Sequence, residues 1–151
     1  MNVLQREAGS FRPPESVFPR LTPDNRPYWV AAREHRLVVP FCDGCKRAFY
    51  PIGPRCPHCF SDKISWKEPE GRPTLASWIR FHKPYFEWLK DVVPYVAGLV
   101  DVCPGVRMPV LLWPAPEADP RIGQELALAF LDVTDSLSLP VYRAIPLEGA
   151  E

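Results

Sequence analysis

Phe41-Cys42-Asp43-Gly44-Cys45-Lys46 and Arg55-Cys56-Pro57-His58-Cys59-Phe60 decide how the first half of this chain folds. Together they read C-x2-C-x10-C-x2-C. Two residues between cysteines let one tight turn aim both sulfurs at a single point, and the intervening hairpin returns the second pair opposite the first. Four thiolates then complete a tetrahedron around Zn²⁺. Gly44 and Pro57 suit such turns, since one permits positive φ and the other fixes φ near −65°. A redox dithiol needs a single C-x-x-C in a thioredoxin-like βαβ setting, whereas here two pairs lie among β-like runs. With Cys42, Cys45, Cys56 and Cys59 all ligating, no position remains for water or substrate, so the zinc is expected to be structural. His58, between two ligands, is read as pointing away from the metal.

Outward from the cysteines, Leu37–Phe41 leads into the first pair and the ribbon runs to about Trp66, giving an expected ribbon segment 37–67. Before it, residues 1–23 hold four prolines and no regular apolar period, so they read as an arm that is extended or ordered only on docking. Asp24 is the expected N-cap of a short helix carrying Tyr28, Trp29 and Ala32 through about Arg36. Arm and helix make up residues 1–36.

After the ribbon, the polar, breaker-rich stretch Glu68-Pro69-Glu70-Gly71-Arg72-Pro73 marks a boundary. Five strand-like runs follow within 73–147: Thr74–His82, Tyr95–Val102, Arg107–Trp113, Glu125–Asp132 and Leu139–Ile145. Five is the strand count of a small Greek-key barrel. Leu126, Leu128 and Phe130 alternating with Ala127, Ala129 and Leu131 suit the wall of a tight barrel. Gly98 predicts a bulge or bend, and Pro109 and Pro140 predict edge positions, since proline cannot donate to a ladder. The fold expected is mainly β, with an N-terminal helix and zinc ribbon followed by a five-stranded barrel.

Composition agrees with this layout. The chain has 151 residues and 20 prolines, far above the roughly 5% of average proteins, which favours short strands and turns over long helices. Net charge is zero, so no global field draws in a polyanion. Residues 42–90 carry nine basic and five acidic side chains, while 91–151 carry three and nine; an anion site is therefore best sought mid-chain. No apolar run is long enough to span a bilayer. Paired cysteines that bind metal suit a reducing compartment, and a cytoplasmic protein is expected.

The familiar catalytic motifs are absent: no G-x-S-x-G, H-E-x-x-H, G-x-G-x-x-G or Walker loop occurs. Arg80, His82 and Lys83 cluster at the end of the first barrel strand, beside Tyr85, Phe86 and Trp88. They are candidates for gripping a phosphate while the rings cover an apolar or adenine moiety, with a solvated strand end as the competing reading. Cys103, in a turn, lacks an evident base and reads as a spare thiol. Glu68, Glu70, Asp132 and Asp135 read as solvating carboxylates.

The residues also carry a family likeness. Tyr28-Trp29, the two cysteine knuckles, Tyr50-Pro51, Pro54–Pro57 and Ile64-Ser65-Trp66 occur in an order that continues in the barrel with Ser77-Trp78, Pro94-Tyr95-Val96, Gly105-Val106-Arg107, Ile122-Gly123 and Leu139–Tyr142. Over about residues 24–146 this order resembles the DUF35 family, in which a rubredoxin-like zinc ribbon precedes an OB-fold. It departs at Cys103-Pro104, where the family often has an acidic residue, and in the long loop 83–93. The resemblance implies a non-catalytic accessory subunit of a thiolase-like acyl-CoA complex (thiolase, acyltransferase or aldolase). Such a subunit contacts the coenzyme A thioester and a thiolase-like partner in a hetero-oligomer, and the partner holds the catalytic residues. A single-stranded nucleic-acid module is the alternative, since ribbons and OB-folds both serve that role; neutral charge and the acidic second half speak against it. An independent enzyme using Cys103 or His82 is a third reading.

Overall fold

A computed structural model describes residues 11–145 of the chain. Residues 1–10 of the expected arm and 146–147 of the expected barrel segment lie outside the described residues. No helix among those described is long and apolar enough to cross a membrane.

The described part of the arm is docked on the body of the same chain. Phe11 is buried, its ring edge-on to Trp88 at 5.5 Å and to Trp113 at 5.6 Å between centroids. Helix α1 (Arg26–Arg33) follows, with Asn25 rather than Asp24 at the N-cap position and its side chain turned back to Thr22 and Arg20 instead of to a helix N–H. The Thr22 N–H donates to Asn25 Oδ1 and the Asn25 N–H to Thr22 Oγ1, so Thr22 and Asn25 brace each other before the first turn. The helix ends at Arg33, short of Arg36, because His35 turns left-handed at φ 55°. The Arg36 N–H then reaches Ala31 O and the His35 N–H reaches Ala32 O, the paired closure that glycine usually provides.

The ribbon is a three-stranded sheet in the order β2-β1-β3, built from β1 (Val39–Cys42), β2 (Arg47–Ala48) and β3 (Ile64–Lys67). The barrel comprises β4 (Thr74–Phe81), β5 (Tyr95–Cys103), β6 (Val106–Leu112), β7 (Leu126–Thr134) and β8 (Leu137–Ala144), in the order β4-β5-β6-β8-β7. β6 meets β8 in parallel and the other pairs are antiparallel. Thr74 bridges Glu125, and the Leu126 N–H donates to Pro73 O, closing β4 onto the start of β7. This is the expected five-stranded OB-type barrel.

Gly98 marks a close approach. A Cβ there would stand 2.9 Å from Leu75 Cδ1 and 3.2 Å from Ser77 O, and the bulge it predicts lies on the facing strand, between Leu75 and Ser77. Pro109 and Pro140 sit where pairing is absent on one flank, since β6 and β8 pair only at Leu112↔Tyr142. The alternation in β7 has a different cause from the one expected. Leu126 and Phe130 enter the main core, Ala129 and Leu131 enter a second core with Phe11, Leu89 and Trp113, and Leu128 stays exposed. Both faces of β7 are therefore covered in part.

The main core does not stop at the barrel wall. Tyr28 and Ala32 of α1, with Leu37 and Val39 of the ribbon, join Leu75, Val96, Val100, Leu112 and Tyr142 in one cluster. Burial pushes the hydroxyl pKa of Tyr28 and of Tyr142 up, so both rings stay neutral.

Candidate metal centre and the aromatic end of the barrel

Cys42 ends β1, and Cys45 lies in the turn that leads to β2. Cys56 and Cys59 come from the hairpin between β2 and β3. Both knuckles close alike: the Lys46 N–H donates to Cys42 O and the Phe60 N–H to Cys56 O, each at 2.9 Å. Lys46 (φ 61°) and Phe60 (φ 60°) are therefore the left-handed residues. Gly44 was the expected site of positive φ. Its role is spatial instead, since a Cβ there would come within 3.3 Å of Ser61 and 3.5 Å of Cys42 Sγ.

The four sulfurs lie within 4.8 Å of one another, with Cys42–Cys59 at 3.5 Å and Cys45–Cys56 at 3.6 Å. A tetrahedral zinc with bonds of about 2.3 Å needs sulfurs about 3.8 Å apart, so the set fits the ion. Backbone N–H groups of Cys45 and His58 point at Cys42 Sγ and Cys56 Sγ. The Cys45 N–H draws the Cys42 thiol down, to about 6, while burial pushes Cys45 up to about 12. Thiolates this close cannot all stay ionised unless a cation compensates them, which a divalent metal does. The imidazole of His58 is outside the sulfur cluster.

At the far end of β4, the three candidate cations divide. The Arg80 guanidinium donates to Pro116 O at 2.9 Å and to Asp119 Oδ1 at 3.1 Å, and its side chain is only 15% exposed. It fastens the 114–119 loop to the barrel. His82 and Lys83 are exposed, with Lys83 Nζ 5.5 Å from the Tyr85 ring centroid. Of the loop aromatics, Trp88 is held by Phe11, whereas Tyr85 and Phe86 remain exposed. Cys103 is not in the turn expected but ends β5, paired with Val106 of β6, at the other end of β4 and apart from His82.

Sequence reasoning missed one polar link. The His35 ring lies parallel to Phe130 at 5.2 Å, its Nε2–H donates to Asp132 Oδ1 at 2.7 Å, and the Ser138 hydroxyl donates to the same oxygen at 2.6 Å. Asp132 is thus a fastener between α1 and the barrel rather than a solvating group. The carboxylate sits between histidine and serine, so the histidine is not placed to take the serine proton and the arrangement is no catalytic triad. Glu68 also has a partner, Arg36 Nη1 at 3.1 Å.

Residues 29–65 match the family model for the ChsH2 rubredoxin-like zinc ribbon domain. The chain of a solved Ltp2-ChsH2(DUF35) aldolase is 33% identical, superposes with a TM-score of 0.74, and is covered over 98% of its length by 84% of this chain. The chain belongs to the DUF35 family. A second solved DUF35 protein, of unknown function and from Sulfolobus solfataricus, shares the fold at a TM-score of 0.57 and 19% identity, with 92% of each chain covered. A probable enoyl-CoA hydratase alpha subunit from Thermomonospora curvata is 34% identical over 138 residues. That stretch is 89% of this DUF35 chain but 43% of the relative, so the chain spans under half of the curated protein it matches.

Proposed function

We propose that this DUF35 protein is a non-catalytic accessory subunit of a thiolase-like, acyl-CoA-processing complex, with a structural zinc in its ribbon. The observation that carries the reading is the near-complete coverage of the ChsH2(DUF35) chain of an aldolase. The described residues support it in two further ways. Their best-organised polar groups fasten elements together: Arg80 to the 114–119 loop, His35 and Ser138 to Asp132. And the outer face of β4 and β5 leaves Ile79 and Leu99 exposed, in line with Phe81, whose ring meets Tyr85 edge-on at 6.1 Å, as a surface a partner can cover.

The coenzyme A thioester is assigned to the 80–90 region. There His82 and Lys83 provide the free positive edge and Tyr85 and Phe86 the apolar one, while Arg80 holds the adjoining loop. Zinc, when bound, supplies folding free energy to the ribbon, on the order of 10 kcal/mol for structural sites, and no reacting group.

The test is co-expression with a thiolase-like partner and assay of carbon–carbon bond cleavage or acyl transfer on an acyl-CoA. Activity is expected from the complex and not from the purified chain. Turnover by the chain alone, at a rate the partner does not change, would refute the accessory role. His82→Ala with Lys83→Ala is expected to raise the complex's KM for the thioester; an unchanged KM removes that edge from the assignment.

A further inference from the structure

A cavity of about 590 Å³ opens where the ribbon meets the barrel. Its size falls among small-molecule sites. The floor is apolar, made by Val39 and Phe41 of β1, Ala48 of β2, and Pro69 and Pro104. Backbone contact holds the two bodies together there: a Cβ on Gly105 would stand 2.9 Å from Ala48 O, so only glycine allows the β5–β6 turn to seat on β2.

The rim is cationic. Lys46, Arg47 and Lys67 line the cavity, and none of them joins an ion pair found among the described residues. Lys67 Nζ lies 3.7 Å from the Phe41 ring centroid, which fixes its charge over the apolar floor. Of the two acids in the lining, Glu68 is paired with Arg36. Glu70 is then the one lining acid outside the ion pairs found among the described residues, against three such cations. A positive rim over an apolar floor is the chemistry of an organic phosphate site, in which the phosphate meets Lys and Arg and the body of the ligand covers the floor.

We infer that the ribbon–barrel cavity binds a phosphate-bearing small organic molecule, held by Arg47 and Lys67 at its rim. The site is separate from the His82–Lys83 edge. The cavity adjoins residues 67–70 before β4, and His82 follows the strand's far end, about 25 Å away at about 3.3 Å per residue. The inference therefore stands or falls independently of the accessory role. A nucleotide and the phosphate end of a coenzyme share this chemistry.

Cys103 lines the same cavity and reports on it. It is half-buried, burial pushes its thiol pKa up, and it is the one cysteine left over when zinc holds the other four. In the zinc-saturated full chain, maleimide labelling of Cys103 followed by intact mass is measured with pyrophosphate, ADP or adenosine 3′,5′-bisphosphate, beside calorimetric titration. Saturable, several-fold protection by the two nucleotides is expected, weaker with pyrophosphate alone. ADP acting as well as the bisphosphate points to a free nucleotide, and preference for the bisphosphate to a coenzyme; both support the site.

Arg47→Glu with Lys67→Glu is expected to weaken binding, read as protection of Cys103, at least about tenfold. Lys67→Gln provides a milder variant should the double change disturb folding, with zinc content and thermal denaturation checked for each. Protection absent at millimolar nucleotide, or matched by sulfate at equal ionic strength, overturns the inference. So does a result in which Arg47→Glu lowers zinc affinity while nucleotide binding is unaltered, since the cations would then serve the thiolates.

Discussion

Gly105→Ala probes the seam between ribbon and barrel, and Gly123→Ala is its internal control. The two glycines have nearly the same backbone, φ +84° and φ +81°. A residue with a Cβ in that region pays roughly 1–2 kcal/mol, and alanine recovers about 0.4–1 kcal/mol by restricting the unfolded chain. At Gly123 nothing lies within 4 Å of the added carbon, so the expected loss is about 1 kcal/mol. At Gly105 the Cβ meets Ala48 O at 2.9 Å. A backbone oxygen cannot rotate away, and Ala48 is held in register opposite Phe41, so β2 or the turn must shift. Overpacking of that kind costs about 1–3 kcal/mol more. For a chain of this size each kcal/mol moves Tm by about 2–4 °C. Thermal unfolding of zinc-saturated protein, followed by circular dichroism, should show Gly123→Ala down by a few degrees and Gly105→Ala by roughly twice to four times as much. Equal losses in the two variants would refute the seated seam.

Stripping zinc with a chelator, or Cys42→Ser, should weaken near-ultraviolet signals from the shared core, Tyr28 and Tyr142 among them, as well as ribbon structure, because Leu37 and Val39 belong to that core; a chelated chain with an unchanged near-ultraviolet spectrum would contradict that coupling. Lowering pH should release zinc, since the sulfurs that take up protons can no longer ligate, and a metal-binding dye reports the release; release on raising pH instead would reverse the assignment. Asp132→Ala should destabilise more than His35→Ala, since it also strands the buried Ser138 hydroxyl, and the pair's coupling in a double-mutant cycle is expected at about 1 kcal/mol. Phe11→Ala should cost about 3 kcal/mol and open the arm to trypsin at Arg12 and Arg20; an arm as resistant as wild type would show that Phe11 does not hold it.

What could be read in the chain was what depends on neighbours in sequence. The cysteine knuckles are local turns, and the five barrel runs were found because strand residues announce themselves over a few positions. Long-range partners left no such trace. Arg80 read as a free cation because the carboxylate that holds it comes from Asp119, beyond two intervening strands. His35 gave no sign of ending a helix left-handed, a place usually taken by glycine, nor of finding Asp132 across the core. Gly44 was recognised as necessary but for the wrong reason: glycine is permitted everywhere, so its presence does not say whether φ or space requires it. Asn25 rather than Asp24 stands at the N-cap position because the helix start is set by the mutual hydrogen bonds of Thr22 and Asn25 and not by a side-chain bond to a helix N–H.

The shared core changes what the metal is for. A ribbon of this length cannot bury a core of its own, and zinc replaces one; yet Val39, in the strand that ends at ligand Cys42, packs with Leu75, Val96 and Leu112 of the barrel. The same strand carries Phe41, whose ring supports Lys67. Fixing Cys42 therefore fixes a barrel-facing residue, a cavity-facing residue and a metal ligand on one stretch of backbone. Loss of zinc should consequently open the ribbon–barrel cavity before it unfolds the β7–β8 hairpin, whose Leu131 and Val141 also pack in a second core with Phe11 and Trp113. Hydrogen exchange during slow chelation can order the two events: β1, β2 and the 103–105 turn should lose protection first, and simultaneous loss in β7 and β8 would show that the barrel has no stability apart from its ribbon.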